Sequence, residues 1–239
     1  MRALRIVMLL TVCGAPQTVK ASSTEQIVPS IHETGAPTFV YAGSSGASQS
    51  TGSSGQASSY SGEWGNTDAM ATLLNQTYGS DAVAAAKAAG INPDTLAAFG
   101  QIESHYQNTG NSTSSAQGVW QITDGTWNEY AAKAGVSDED RSDPAVQAKV
   151  ASAIISDYAT SVASSTHGTV TGAQAYGAYM FGTTAGSQMA AESNTSRPLS
   201  DFVSTKTLAA NNMSNWTVGQ YYSTVSQRMG SGASEAVIS

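Results

Sequence analysis

The feature that most limits how this 239-residue chain can fold is the recurrence of helix start signals before apolar residues spaced three and four apart. Asn92-Pro93 and Asp143-Pro144 each place a capping side chain before a proline that the first helical turn tolerates. Thr171 and Thr217 are further N-cap candidates. No strand-like alternation is sustained. We therefore predict an all-α domain over residues 64–230, which is long enough to bury a core.

Residues 1–21 have the pattern of an export signal. Arg2 and Arg5 precede a short apolar run. Val19-Lys20-Ala21 then has the small-x-small pattern of a cleavage site, with Val19 and Ala21 as the small residues. The run is too short for a membrane span, so we expect no integral membrane segment after its removal. The alternative is an amphipathic or disordered arm. The signal predicts a protein that is exported, either periplasmic or secreted, and the single cysteine, Cys13, would leave with it.

Two other segments are expected to lie outside the folded domain. Residues 22–63 are dominated by Ser, Gly, Ala, Thr and Gln, a composition that buries too little apolar surface to offset the entropy of ordering. We predict a flexible linker there. We also expect residues 231–239, beyond the last predicted helix, to form a disordered tail.

Glu103 is the candidate for chemistry because it continues an apolar stripe. Leu96, Phe99 and Glu103 follow one another at helical spacing after Asn92. Only 11% of the residues are charged, and an ionised group on a core-facing stripe is costly unless it is paired, hydrogen-bonded or protonated. Glu103 is therefore a candidate general acid with a raised pKa. The alternative is a helix end that turns outward and leaves Glu103 solvated.

Three motifs strengthen this interpretation. Glu-Ser-His-Tyr at 103–106, a polar loop, and Gly-Val-Trp-Gln-Ile at 118–122 resemble the ordered signatures of the lytic transglycosylases with a lysozyme-like fold. Ala-Tyr-Gly-Ala at 175–178 is similar to a third signature of that family, with Gly177 in place of the usual Asn. The sequence after 176 looks more like the branch found in secretion, conjugation and phage-associated enzymes.

The resemblance implies a substrate, a reaction and a catalytic residue. The substrate would be the glycan strand of peptidoglycan, cleaved at the bond between N-acetylmuramic acid (MurNAc) and N-acetylglucosamine (GlcNAc). Glu103 would act alone as acid and then base, closing a 1,6-anhydro ring without water, metal or cofactor. The further site residues implied are Ser104 near the acid or sugar, Gly118, Val119 and Gln121 shaping the groove, Trp120 against a sugar ring, and Tyr176 near the carboxylate.

Two rival functions remain open from the sequence. Ordinary glycosidases use a second carboxylate, and Asp124 could serve in a lysozyme-like muramidase, although its position at the start of a helix favours a capping role for it. The other rival is a non-catalytic peptidoglycan-binding or assembly protein. The linker could also engage a secretion or conjugation apparatus.

Other classes are disfavoured by composition. A formal net charge of -7 and a sequence pI near 4.8 argue against nucleic acid as a partner. The three histidines, His32, His105 and His167, lack metal-ligand spacing, so no metal site is expected.

Overall fold

The computed structural model describes residues 68–112 and 114–238. The predicted signal and linker, and the first residues of the predicted domain, lie outside these ranges. Within them the chain forms helices and isolated β-bridges and no strand. The all-α prediction is confirmed. No helix in this part of the chain is long and apolar enough to cross a membrane.

The α-helices follow one another along the chain with short connections. Two 3₁₀ turns, Leu199–Asp201 and Gly230–Ala233, interrupt the second half. The α-helices are α1 (Ala69–Leu74), α2 (Gly79–Ala88), α3 (Pro93–Ser104), α4 (Asp124–Tyr130), α5 (Pro144–Thr166), α6 (Gly172–Phe181), α7 (Thr183–Ala191), α8 (Thr205–Ala210) and α9 (Val218–Met229).

The predicted caps are the observed ones. The side chains of Asn92 and Asp143 accept hydrogen bonds from backbone N–H groups in the first turns of α3 and α5, each ahead of a proline. Thr171 and Thr217 form capping boxes with the Gln three residues later. These contacts satisfy N–H groups that have no partner within the helix, so the local sequence fixes where each helix begins.

Helix α3 lies at the centre of the fold. Its residues from Thr95 to Glu103 are buried without interruption, and it packs against α1, α2, α5, α6, α9 and the 3₁₀ turn at 230–233. α5 supports the other side, against α2, α6 and α7. A helix buried on every side has no solvated face, which makes any charged residue in it exceptional.

The prediction of a disordered tail is wrong for residues 231–238. Ala233 and Val237 are buried, and the Val237 N–H donates to the Val170 carbonyl while the Val237 carbonyl accepts from the Asn92 N–H. The segment has no periodic pattern of its own. It is ordered by pairing with chain segments far away in sequence, which local signals do not encode.

Candidate active site

Glu103 lies in the last turn of α3 with 6% of its surface exposed. The helix ends directly after it because His105 and Tyr106 both adopt left-handed backbone conformations, with φ of 53° and 62°. Neither carboxyl oxygen has a hydrogen-bond partner of normal geometry among the described residues. The alternative of a solvated Glu103 is therefore wrong.

Aromatic residues from two helices surround this carboxyl group. Tyr176 and Tyr179 come from α6, and Tyr221 comes from α9; all three are within electrostatic range of Glu103. Phe99, one turn earlier on α3, packs edge-on against Tyr176 and Tyr179, with ring centroids 5.2 and 5.0 Å apart. The acid is thus enclosed by rings that exclude water.

This enclosure raises the pKa of Glu103 from 4.5 to about 8. Burial is the dominant cause, since it penalises the charged form. The Tyr176 hydroxyl is close enough to favour the ionised form and opposes the shift in part. The groups that perturb this pKa include no second carboxylate in the described part of the chain. Glu103 is consequently protonated near neutral pH.

Ser104 joins the acid-bearing helix to the second motif. Its hydroxyl donates to the Val119 carbonyl at 2.7 Å. The side chain therefore holds the end of α3 against residues 118–122, and its bond is to the protein backbone. The structure thus joins Ser104, the residue after Glu103, to Val119 of the second motif.

The second motif is a tight turn held by the polar loop before it. Gly118 has a φ of 82° and Gln121 a φ of 46°. The Gln121 amide donates to the carbonyls of Gly118 and Thr109, at 2.8 and 3.0 Å. Gln121 is buried, so in this structure it stabilises the turn and shapes the adjacent loop from within.

Trp120 occupies a different place from the one predicted. Its side chain is fully buried, with its indole N–H donating to the Leu96 carbonyl at 3.0 Å. The ring lies beside Gly100 and edge-on to Tyr78. The prediction of stacking against a sugar ring is therefore wrong for this structure. The Trp120 ring packs into the core because Gly100, which has no side chain, leaves space for it on α3.

Two further residues of the site were not predicted from the sequence. Tyr179 donates its hydroxyl to the Trp120 carbonyl at 2.6 Å, which ties α6 to the second motif. Gln147 of α5 accepts from the Val119 N–H at 2.9 Å. A signal for Gln147 existed: it is a polar residue three positions before Val150, on the apolar face of a long helix.

Asp124 lies outside this cluster. Thr123 supplies the cap of α4, and Asp124 is the first residue of the helix. Its carboxylate is exposed and paired with the Arg141 guanidinium at 2.5 Å. The capping role predicted for Asp124 is therefore filled by Thr123, and Asp124 forms an exposed ion pair at the start of α4.

A cleft of about 980 Å³ lies elsewhere on the molecule. It runs between α2 and α5, and its lining includes Asp81, Ala85, Tyr130, Lys133, Lys149 and Asp157. None of the predicted site residues lines it. No group of three or more His, Cys, Asp or Glu side chains in the described ranges could hold a metal ion.

Fold and site together define a helical, lysozyme-like domain built around one buried glutamic acid. Residues 82–198 match the family model described as Transglycosylase SLT domain. The matched region contains all three motifs, and this part of the chain belongs to that family, whose domains act on peptidoglycan. No curated protein matched the chain.

Proposed function

We propose that the protein is a peptidoglycan lytic transglycosylase that cleaves the MurNAc-β-1,4-GlcNAc bond and leaves a 1,6-anhydroMurNAc end. The observation that carries this proposal is the single buried carboxyl group of Glu103, whose pKa is raised to about 8. A general acid must hold its proton at working pH. Glu103 meets this requirement without help from a second acid.

The chemistry follows from one group changing roles. Protonated Glu103 donates to the glycosidic oxygen, and that bond breaks with assistance from the N-acetyl group of the substrate. The carboxylate so formed then takes the proton from the C6 hydroxyl of MurNAc, whose oxygen closes the anhydro ring. Glu103 ends protonated as it began, and no water is consumed. Tyr176 would stabilise the transient carboxylate, because its hydroxyl favours the ionised form of Glu103.

A hydrolytic muramidase is the nearest alternative, and it differs by needing an activated water. Asp124 is the carboxylate that the sequence offers for that role. Its exposure and its ion pair with Arg141 support the non-hydrolytic route. The reaction therefore depends on one acid in our proposal.

We further propose that the enzyme is exported to the periplasm or secreted, and that it opens the wall locally. The export signal pattern at 1–21 and the Ser/Gly-rich composition of 22–63 support this. Engagement of a secretion or conjugation apparatus through that linker is part of the same proposal. This part of the proposal is supported by the branch resemblance and by the predicted linker.

Mass spectrometry of soluble products from purified sacculi tests the reaction. Wild-type protein should release anhydromuropeptides, the Glu103→Gln variant should release none, and the matched Asp124→Asn variant should behave as wild type. Reducing-end products that vanish in Asp124→Asn would establish the hydrolase. Binding to sacculi without release of fragments by folded wild-type protein would favour a non-catalytic role.

A further inference from the structure

The buried side chain of Gln147 forms hydrogen bonds to three other chain segments. It is 3% exposed. Its side-chain oxygen accepts from the Val119 N–H at 2.9 Å. Its amide nitrogen donates to the side-chain oxygen of Asn108 at 3.0 Å and to the backbone carbonyl of Arg141 at 2.9 Å. One side chain on α5 thus links the polar loop after α3, the second motif, and the connection between α4 and α5.

The neighbouring glycine shows how closely this contact is fitted. A Cβ atom added to Gly118 would lie 2.3 Å from the Gln147 side-chain oxygen. The Gln147 amide therefore occupies the space that any other residue at 118 would need for its side chain. The close approach of backbone to amide requires both residues, Gly118 for its missing Cβ and its positive φ, and Gln147 for its hydrogen bonds.

The Val119 residue is consequently held from both sides. Its N–H is bound by Gln147, and its carbonyl is bound by the hydroxyl of Ser104, the residue after Glu103. A continuous chain of hydrogen bonds runs from α5 through the second motif to the end of α3. Loss of Gln147 would leave the buried Val119 N–H without a partner, and buried N–H groups are rarely left so.

We infer that Gln147 is a positioning residue of the active site: it fixes the Val119 backbone, and through Ser104 it fixes the end of α3 that carries Glu103 relative to Asn108 in the loop after that helix. This inference rests on the proposed function. It adds a residue on α5, outside the three motifs, to the set that determines the rate of bond cleavage.

Gln147→Met in the full chain tests this, because Met has a similar length and lacks all three hydrogen bonds. Tyr130→Phe is the matched control: it removes one side-chain hydrogen bond, from Tyr130 to Asp157, in the cleft between α2 and α5. Each variant is measured for kcat, KM, melting temperature and amide hydrogen exchange. Ser104→Ala and the double variant with Gln147→Met complete a cycle, since both side chains act on Val119.

We expect kcat of Gln147→Met to fall by about tenfold to a hundredfold, the range that follows from small misplacement of a catalytic group. KM should change by a smaller factor, and kcat of Tyr130→Phe should stay at the wild-type value. The kcat losses of Gln147→Met and Ser104→Ala should be non-additive, because either change releases the same peptide. Backbone amide hydrogens at 118–121 should exchange faster in Gln147→Met than in the wild type. In Tyr130→Phe they should exchange at the wild-type rate.

Unchanged kcat in folded Gln147→Met, or additive losses in the cycle, would overturn the positioning role. Failure of the proposed function gives a different result, namely wild-type protein that releases no anhydro products. Amide exchange does not depend on the reaction. If Gln147→Met leaves the amide exchange rates at 118–121 unchanged, the inference is refuted, whether or not the wild-type protein is active.

Discussion

Replacing Glu103 with Gln should stabilise the protein increasingly as the pH rises from about 4.5 to about 8, the interval between the ordinary and the folded-state pKa. In this interval the folded protein holds a proton on Glu103 that the unfolded chain has released. Stability therefore falls with rising pH, because the folded state binds more protons than the unfolded state. Gln does not titrate, so the variant escapes this loss.

The size of the effect follows from the shift of the pKa. Moving from 4.5 to about 8, at about 1.4 kcal/mol per pKa unit, corresponds to about 5 kcal/mol over the whole interval. Because the carboxyl oxygens are buried, no discount for solvent screening applies. The quantity to compare is the free energy of unfolding of Glu103→Gln minus that of the wild type. This difference should stay constant below about pH 4.5, grow as the pH rises, and become constant again above about pH 8.

Urea unfolding of both proteins between about pH 4 and pH 9, extrapolated linearly to water, measures this difference. Asp124→Asn is the control: it removes an exposed carboxylate from a surface ion pair, and such pairs contribute about 0–1 kcal/mol. If the difference in free energy of unfolding between Glu103→Gln and the wild type stays constant or decreases as the pH rises, Glu103 is not held protonated by burial.

Three further outcomes are expected. Tyr176→Phe should raise the pKa of Glu103 further, because the lost hydroxyl favours the ionised form; the alkaline limb of the pH-rate profile should move up, and a downward move would contradict this. Gly118→Ala should lower the free energy of unfolding by roughly 1–3 kcal/mol, since an added Cβ lies 2.3 Å from a buried side-chain oxygen at a φ of 82°. The control Gly125→Ala meets nothing within 4 Å, and calorimetry should show no loss for it. Ending the chain after Gly230 should cost at least about 2 kcal/mol of unfolding free energy, because buried side chains and backbone hydrogen bonds to earlier segments are lost; an unchanged melting temperature would refute an ordered tail.

Some details of the fold depend on which side of a helix meets the core. The apolar pattern of α1 predicts that Met70, Leu73 and Leu74 all point inward, yet Leu74 is 54% exposed while Leu73 is fully buried. A six-residue helix has room for one narrow buried stripe. Apolar character marks a residue as suitable for burial, and the packing partner decides whether burial occurs.

The sequence by itself determined the helical fold and the caps at Asn92, Asp143, Thr171 and Thr217, and it placed Glu103 on an apolar stripe while leaving a solvated position open. These are consequences of local physics: capping side chains bind N–H groups within a few residues, and helical spacing assigns positions to one face. The acid and the motifs around it could therefore be predicted from the order of the residues alone.

Only the tertiary structure decided which residues enclose Glu103 and what each motif residue contacts. It placed Trp120 in the core, Gln147 against Val119, and Tyr179 on the Trp120 carbonyl, and it ordered the segment at 231–238. Each of these contacts joins positions separated by many residues. Their free energy comes from burial and from hydrogen bonds between elements, and those exist only after the helices have packed together.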